Sequence, residues 1–201
     1  DSTSTGSSAS APSITVSHTT SGANRLMLVT MSTDPHGESA TSVTYNGVNL
    51  TLVGAEEAAS SHSRVEIWQL LAPDVGTHDV VVNLTGGGHH GTAVGVITFT
   101  GVDQASPTIG ISTGSGTSTS ASTTVTSQAD DLVFGVVHSH GGSSPTAGSG
   151  QTEHWNTVVD STRDSGTTEP GAVSVVTSWT VDNDDWSVAA LSVNAANTAP
   201  T

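Results

Sequence analysis

The sequence predicts an all-β protein, a two-sheet antiparallel β-sandwich of jelly-roll or Ig-like style with about eleven or twelve short strands. Three observations carry that prediction. The run GTAVGVITFTG, Gly91 to Gly101, is small or apolar on both faces and rich in β-branched residues, as a strand covered on both sides must be. Asn46-Gly47, the preferred pair for a two-residue type I′ hairpin, stands between SVTY and VNLTLV. Elsewhere Val, Ile and Thr recur in alternating runs punctuated by Gly, Pro, Asn and Asp, without helical periodicity.

Taken in order, DSTSTGSSASAP (1–12) is low complexity and reads as an extension or linker. If ordered, a segment this polar is expected to pair with a sheet edge, in its own subunit or a neighbour. Ile14 to His18 and Ala23 to Ser32 read as strands, followed by the hairpin from Ser42 to Val53. RVEIWQLL (64–71) and HDVVVNL (78–84) alternate, and a Gly-rich loop through His89-His90 leads into the central run. Ile109 and Ile111 suggest a short edge strand, and Gly114 to Ser122 a flexible loop. Thr123 to Thr126, Leu132 to His138 and Glu153 to Val159 read as strands, Ser161 to Pro170 as a long polar loop. Ala172 to Thr180 and Trp186 to Asn194 close a sandwich spanning 13–196, and NTAPT (197–201) is again linker-like. Such ends suit a module within a longer protein, or a subunit that joins to copies of itself.

Composition narrows the function classes. The net charge of −15, with no Lys and only Arg25, Arg64 and Arg163 as cations, repels nucleic-acid backbones and anionic membranes. No run is long enough for a transmembrane helix, so no membrane insertion is expected. Without Cys the fold has neither disulfides nor thiolate zinc sites. Few charges and abundant Ser, Thr and Gly fit an extracellular or cell-surface setting. With no initiator Met and no signal peptide, the chain reads as a mature form or an excised piece.

The ordered motifs ANRLMLVTMSTD, Thr41 to Gly47, VEIWQLLAPDVGTHDVVV, FTGVDQ, DLVFGVV, GSGQTEHW and DDWSVAALSV carry a resemblance across roughly Ala23 to Val193. The chain resembles an uncharacterised β-sandwich domain that recurs in large secreted and surface-attached prokaryotic proteins. The resemblance implies an extracellular, non-catalytic module of adhesin-like or polymer-degrading proteins. It brings no defined ligand or catalytic residue.

Candidate chemistry falls into four groups. His89 and His90 precede the central strand, and His138 and His140 end another. If those strands are antiparallel neighbours, four imidazoles meet at one rim, a set suited to Zn²⁺, Cu²⁺ or Ni²⁺. Asp182, Asn183, Asp184 and Asp185 form an acidic turn of the kind that offers oxygens to calcium; Asp34, Glu38 and Asp130-Asp131 lie in similar turns. Asp and Asn also favour turns for local reasons. Among the four Trp, Trp155 and Trp186 are the candidates for exposed rings that stack on a polysaccharide, against the alternative that all four fill the core. For assembly by strand addition, Ser10, Ala11, Pro12, Ser13, Ile14 and Val16 are the candidate segment.

Catalysis has no signature: there is no GxSxG elbow or HExxH motif, and the glutamates, Glu66 among them, cannot be paired from sequence. The function expected is therefore a non-catalytic structural or adhesive module that requires no cofactor and self-assembles into a filament by strand addition. The alternative is a carbohydrate-binding module; a secreted hydrolase is third.

Overall fold

The computed structural model describes residues 2–34, 36, 38–85 and 90–196. Among these, fifteen strands follow in chain order: β1 (Ser2–Ser8), β2 (Ser13–Thr20), β3 (Leu26–Thr33), β4 (Ala40–Tyr45), β5 (Val48–Asn49), β6 (Thr51–Glu57), β7 (Arg64–Leu71), β8 (Gly76–Leu84), β9 (Thr92–Phe99), β10 (Thr108–Val125), β11 (Leu132–His140), β12 (Thr146–Ala147), β13 (Thr152–Val159), β14 (Thr162–Pro170) and β15 (Val175–Val193). They form three antiparallel sheets, ordered β1-β9-β3-β7-β6, β10-β15-β11-β14-β13 with β12 beside β15, and β2-β8-β4-β5. His89 and residues 197–201, to which the sequence assigned a metal ligand and a linker, lie outside the described residues.

The antiparallel sandwich is as the sequence reads it, but it has three layers instead of two. Every residue of β3 and β9 is buried, so the five-stranded sheet needs cover on both faces. Leu26, Leu28, Ile97 and Phe99 pack against Phe134, Val136 and Leu191 of the six-stranded sheet. Met27, Val29, Met31, Val94 and Val96 face the other way, onto Ile14, Val16, Val43, Tyr45, Val80 and Val82 of the four-stranded sheet. Each Val, Leu, Ile or Phe so placed contributes about 1.5–3 kcal/mol. The Asn46-Gly47 hairpin forms as expected, with φ of 49° and 76° at its two corner residues and Tyr45 paired to Val48.

Two segments that read as loops are strands. Gly114 to Ser122 lies inside β10, which pairs along its length with β15 and shifts register between Ser118 and Ser120. The ribbon folds back there, bringing Ser112 Oγ within 2.8 Å of Thr123 Oγ1. Its far half lays Ala121, Trp179 and Val181 over the outer face of the six-stranded sheet. Glycine serves the fold-back, since a Cβ on Gly116 would stand 2.8 Å from the Trp186 ring. Ser161 to Pro170 contains β14, polar in sequence and mostly buried. Its interior hydroxyls are satisfied: Ser165 Oγ accepts from Trp179 Nε1 at 3.1 Å, and Thr167 Oγ1 accepts from Gln151 Nε2 at 2.8 Å.

One knot ties the central and six-stranded sheets together. Trp155 of β13 lies over two glycines in different sheets, Gly95 and Gly166, where an added Cβ would come within 2.2 and 2.1 Å of the ring. Its Nε1 donates to Asp164 Oδ2 at 2.7 Å, and Ser32 of β3 donates to the other carboxylate oxygen. Burial pushes the Asp164 carboxyl up to about 7, against the pull of these two donors.

Gly166→Ala is expected to cost about 1–3 kcal/mol by overpacking, read by denaturant unfolding; a change below about 0.5 kcal/mol contradicts the close Trp155 contact. Because Asp164 holds its proton to a higher pH folded than unfolded, the native state binds more protons between about 4 and 7. Its contribution to stability is therefore expected to fall as pH rises through that window. In Asp164→Asn the corresponding slope should be absent from the stability–pH curve.

Candidate functional site

Two places stand out, the seat of the first strand and a rim of histidines. The low-complexity extension is not outside the domain: β1 pairs with β9 in register from Ser2↔Thr98 to Ser8↔Thr92, closing the edge of the central sheet. It brings no apolar side chain, only hydroxyls and Gly6. Gly6 faces Val16 and Ile14 of β2, where a Cβ would meet Val16 Cγ2 at 2.6 Å. His18 clasps the strand from below. Its Nδ1 pairs with Ser4 Oγ at 3.0 Å, and its Nε2 with Thr98 Oγ1 at 2.9 Å and Ser2 Oγ at 3.2 Å. Burial lowers the His18 pKa to about 4, so the clasp is neutral.

This corrects the assembly segment read from sequence. Ser10, Ala11 and Pro12 belong to the connector between β1 and β2, while Ser13, Ile14 and Val16 lie in β2. Ile14 and Val16 are core residues at 5% and 4% exposure. The strand that occupies an edge is Ser2–Ser8 instead. The sequence anticipated that the extension, if ordered, pairs with a sheet edge, but it placed the assembly segment at 10–16, because β1 has no apolar period to mark its bounds.

The histidine rim lies where the central and six-stranded sheets meet. Asp34 directly follows β3, and His36 stands two residues on with φ of 38°. His62 comes from the loop between β6 and β7, tied to the first loop by the His36 N–H donating to the Ser61 carbonyl at 3.2 Å. His140 ends β11, and Asp184 sits in β15. Asp34 Oδ1 is 3.4 Å from His36 Nε2 and 3.4 Å from His62 Nδ1; Asp34 Oδ2 is 3.5 Å from His140 Nε2. Asp184 Oδ2 is 3.1 Å from the other nitrogen of His140. His90 joins by its ring, 4.7 Å from that of His36.

Of the histidines named from sequence, His90 and His140 therefore reach one rim, but His138 does not. It is fully buried, with Nδ1 2.7 Å from Ser63 Oγ and Nε2 3.2 Å from Thr162 Oγ1. Burial first, then the charges of His140 and Arg163, lowers its pKa to about 3. Ser63 and His138 are spaced like a nucleophile and its base, yet both are at 0% exposure and out of a substrate's reach. Asp34, His36 and His62 were not assigned to this cluster from sequence, because only the meeting of separate loops joins them.

The acidic run Asp182, Asn183, Asp184 and Asp185 is not a turn but part of β15. Its carboxylates diverge. Asp182 Oδ2 accepts the Ser143 N–H, Asp185 Oδ1 accepts from Thr117 Oγ1 at 2.8 Å, and Asp184 turns to His140. Trp155 and Trp186 are 6% and 9% exposed, correcting the expectation of stacking rings on the surface. Trp186 Nε1 donates to Ser118 Oγ at 3.1 Å. Glu66, also buried, accepts from Arg64 Nε and Trp68 Nε1, each at 2.8 Å, and serves as an internal anchor.

No protein-family model matches the chain, and a search of curated proteins finds no match.

His18→Ala removes the side chain that pairs with Ser2 and Ser4. Amide exchange in residues 2–8 is expected to accelerate at least about tenfold while β9 keeps its pairing with β3. Unchanged exchange in β1 contradicts the clasp.

Proposed function

We propose that the chain is a non-catalytic building block of an extracellular surface protein whose copies join by exchanging the first strand. The observation that supports this most is the seat of β1. Strand β9 presents an apolar ladder, and its edge is closed by seven residues, Ser2–Ser8, that bring no apolar side chain of their own. The seat is specific, since Gly6 fits where a side chain would strike Val16, and His18 fixes the two serines. A second copy carries the same strand and fits the same seat with the same contacts, so exchange changes only the path of the connector. Backbone pairing of this kind joins subunits without Lys chemistry or disulfides.

The charge balance and the hydroxyl-rich composition favour an outward-facing setting. A polysaccharide-binding role loses the exposed indoles it needed, since Trp155 and Trp186 are committed to the interior.

Refolding at high protein concentration is expected to give dimers and longer oligomers that persist on dilution, measured by light scattering after size exclusion. A variant lacking residues 2–8 should aggregate through the bare β9 edge, and a synthetic peptide of residues 2–8 should suppress that. Gly6→Val peptide should not. Monomers only, from both the intact chain and the truncated one, would rule out strand exchange.

A further inference from the structure

Asp34 is an anomaly for a buried carboxylate. Its side chain is 2% exposed, yet Oδ1 has no hydrogen-bond partner among the described residues. Nδ1 of His62, aimed at that oxygen from 3.4 Å, is likewise buried and without a hydrogen bond. A charge-assisted hydrogen bond between these atoms would draw them to about 2.7–2.9 Å. The His140 contact has the same character. Asp184 Oδ2 lies 3.1 Å from Nδ1 of His140, and Nε2 of the same ring faces Asp34 Oδ2 at 3.5 Å, beyond hydrogen-bond length. A buried carboxylate and three ring nitrogens therefore converge, with Asp34 Oδ1 and His62 Nδ1 left without hydrogen bonds. Buried polar atoms left unpaired are costly, and a bound cation would engage both of them.

The spacing suits a small cation. Zinc binds His nitrogen and carboxylate oxygen at about 2.0–2.2 Å, so neighbouring ligands of a tetrahedral site lie about 3.3–3.6 Å apart. The contacts of Asp34 with His36, His62 and His140 measure 3.4, 3.4 and 3.5 Å. One ligand atom each from Asp34, His62 and His140 lies within 4.8 Å of the others. We propose that Asp34, His62 and His140 bind a divalent transition-metal ion of the Zn²⁺ class, with His36 at the margin of the site, 3.4 Å from Asp34 Oδ1. Imidazole and carboxylate donors without thiolate suit Zn²⁺, Cu²⁺ or Ni²⁺, and two or three imidazoles are the wrong set for Ca²⁺, which takes six to eight oxygens. Asp184 is a positioning residue, since its bond to Nδ1 fixes the tautomer and the orientation of the His140 ring.

The ligands come from both sides of one core. Asp34, His36 and His62 leave the central sheet, and His140 belongs to the six-stranded one. Bound metal would thus link two layers in a chain without cysteines.

Full-length protein freed of metal by a chelator is expected to bind one equivalent of Zn²⁺ by calorimetry, with a rise in melting temperature that Ca²⁺ does not reproduce. Co²⁺ in its place should give the strong visible bands of a four-coordinate site. His62→Ala and His140→Ala are expected to lose saturable binding. Asp184 is 45% exposed, so Asp184→Asn keeps the fold; it should weaken Zn²⁺ about 10–100-fold while Co²⁺ still gives its bands. The assignment is overturned by folded wild-type protein that shows no saturable Zn²⁺ binding. It is equally overturned if His62→Ala and His140→Ala both bind Zn²⁺ as tightly as the wild type. Wild-type affinity in Asp184→Asn removes the positioning role.

Discussion

The architecture depends on one constraint: the strands at the middle of the central sheet have no polar face. A strand with alternating faces needs one neighbouring layer, but β3 and β9 bury every residue and need two. The four-stranded sheet and the six-stranded sheet are the two answers, each supplying its own core. The same constraint governs the edges. Pairing with β7 protects β3 on one side, and β1 protects the open side of β9. An apolar edge left bare would template pairing with any strand nearby. The polarity of β1 then makes sense, because its task is backbone pairing over an already complete core.

Much of this was legible in the sequence, and the failures share a cause. Gly91 to Gly101 announced a strand covered on both faces, and Asn46-Gly47 announced its hairpin, because both signals are local. The apolar period is silent for β1, for β14 and for the middle of β10, where hydroxyls and glycines stand in for aliphatic side chains. In β14 Gly166 makes room for Trp155, and the Ser165 hydroxyl accepts from Trp179. The expectation of two layers failed for a related reason. Alternation shows that a strand is covered, but not how many sheets share the covering.

The histidine rim was half legible. His90 and His140 were placed by assuming that β9 and β11 are neighbours in one sheet, yet they belong to different sheets that face each other. The rim exists because loops from two layers converge, and that meeting also brings in Asp34, His36 and His62. The two-residue repeat does put His138 and His140 on one face of β11. His138 lies deeper along the strand, though, where Ser63 and Thr162 enclose it. A buried histidine with both nitrogens occupied is a structural residue, whatever its neighbours in sequence suggest.

The stacking of Trp155 between Gly95 and Gly166 binds these three positions into a single unit of volume. None of the three can drift alone in related chains. A larger residue at either glycine requires a smaller one in place of the indole, and the loss of the indole also removes one of the two donors of Asp164. Divergence at this locus should therefore proceed by coordinated exchange across three strands from two layers.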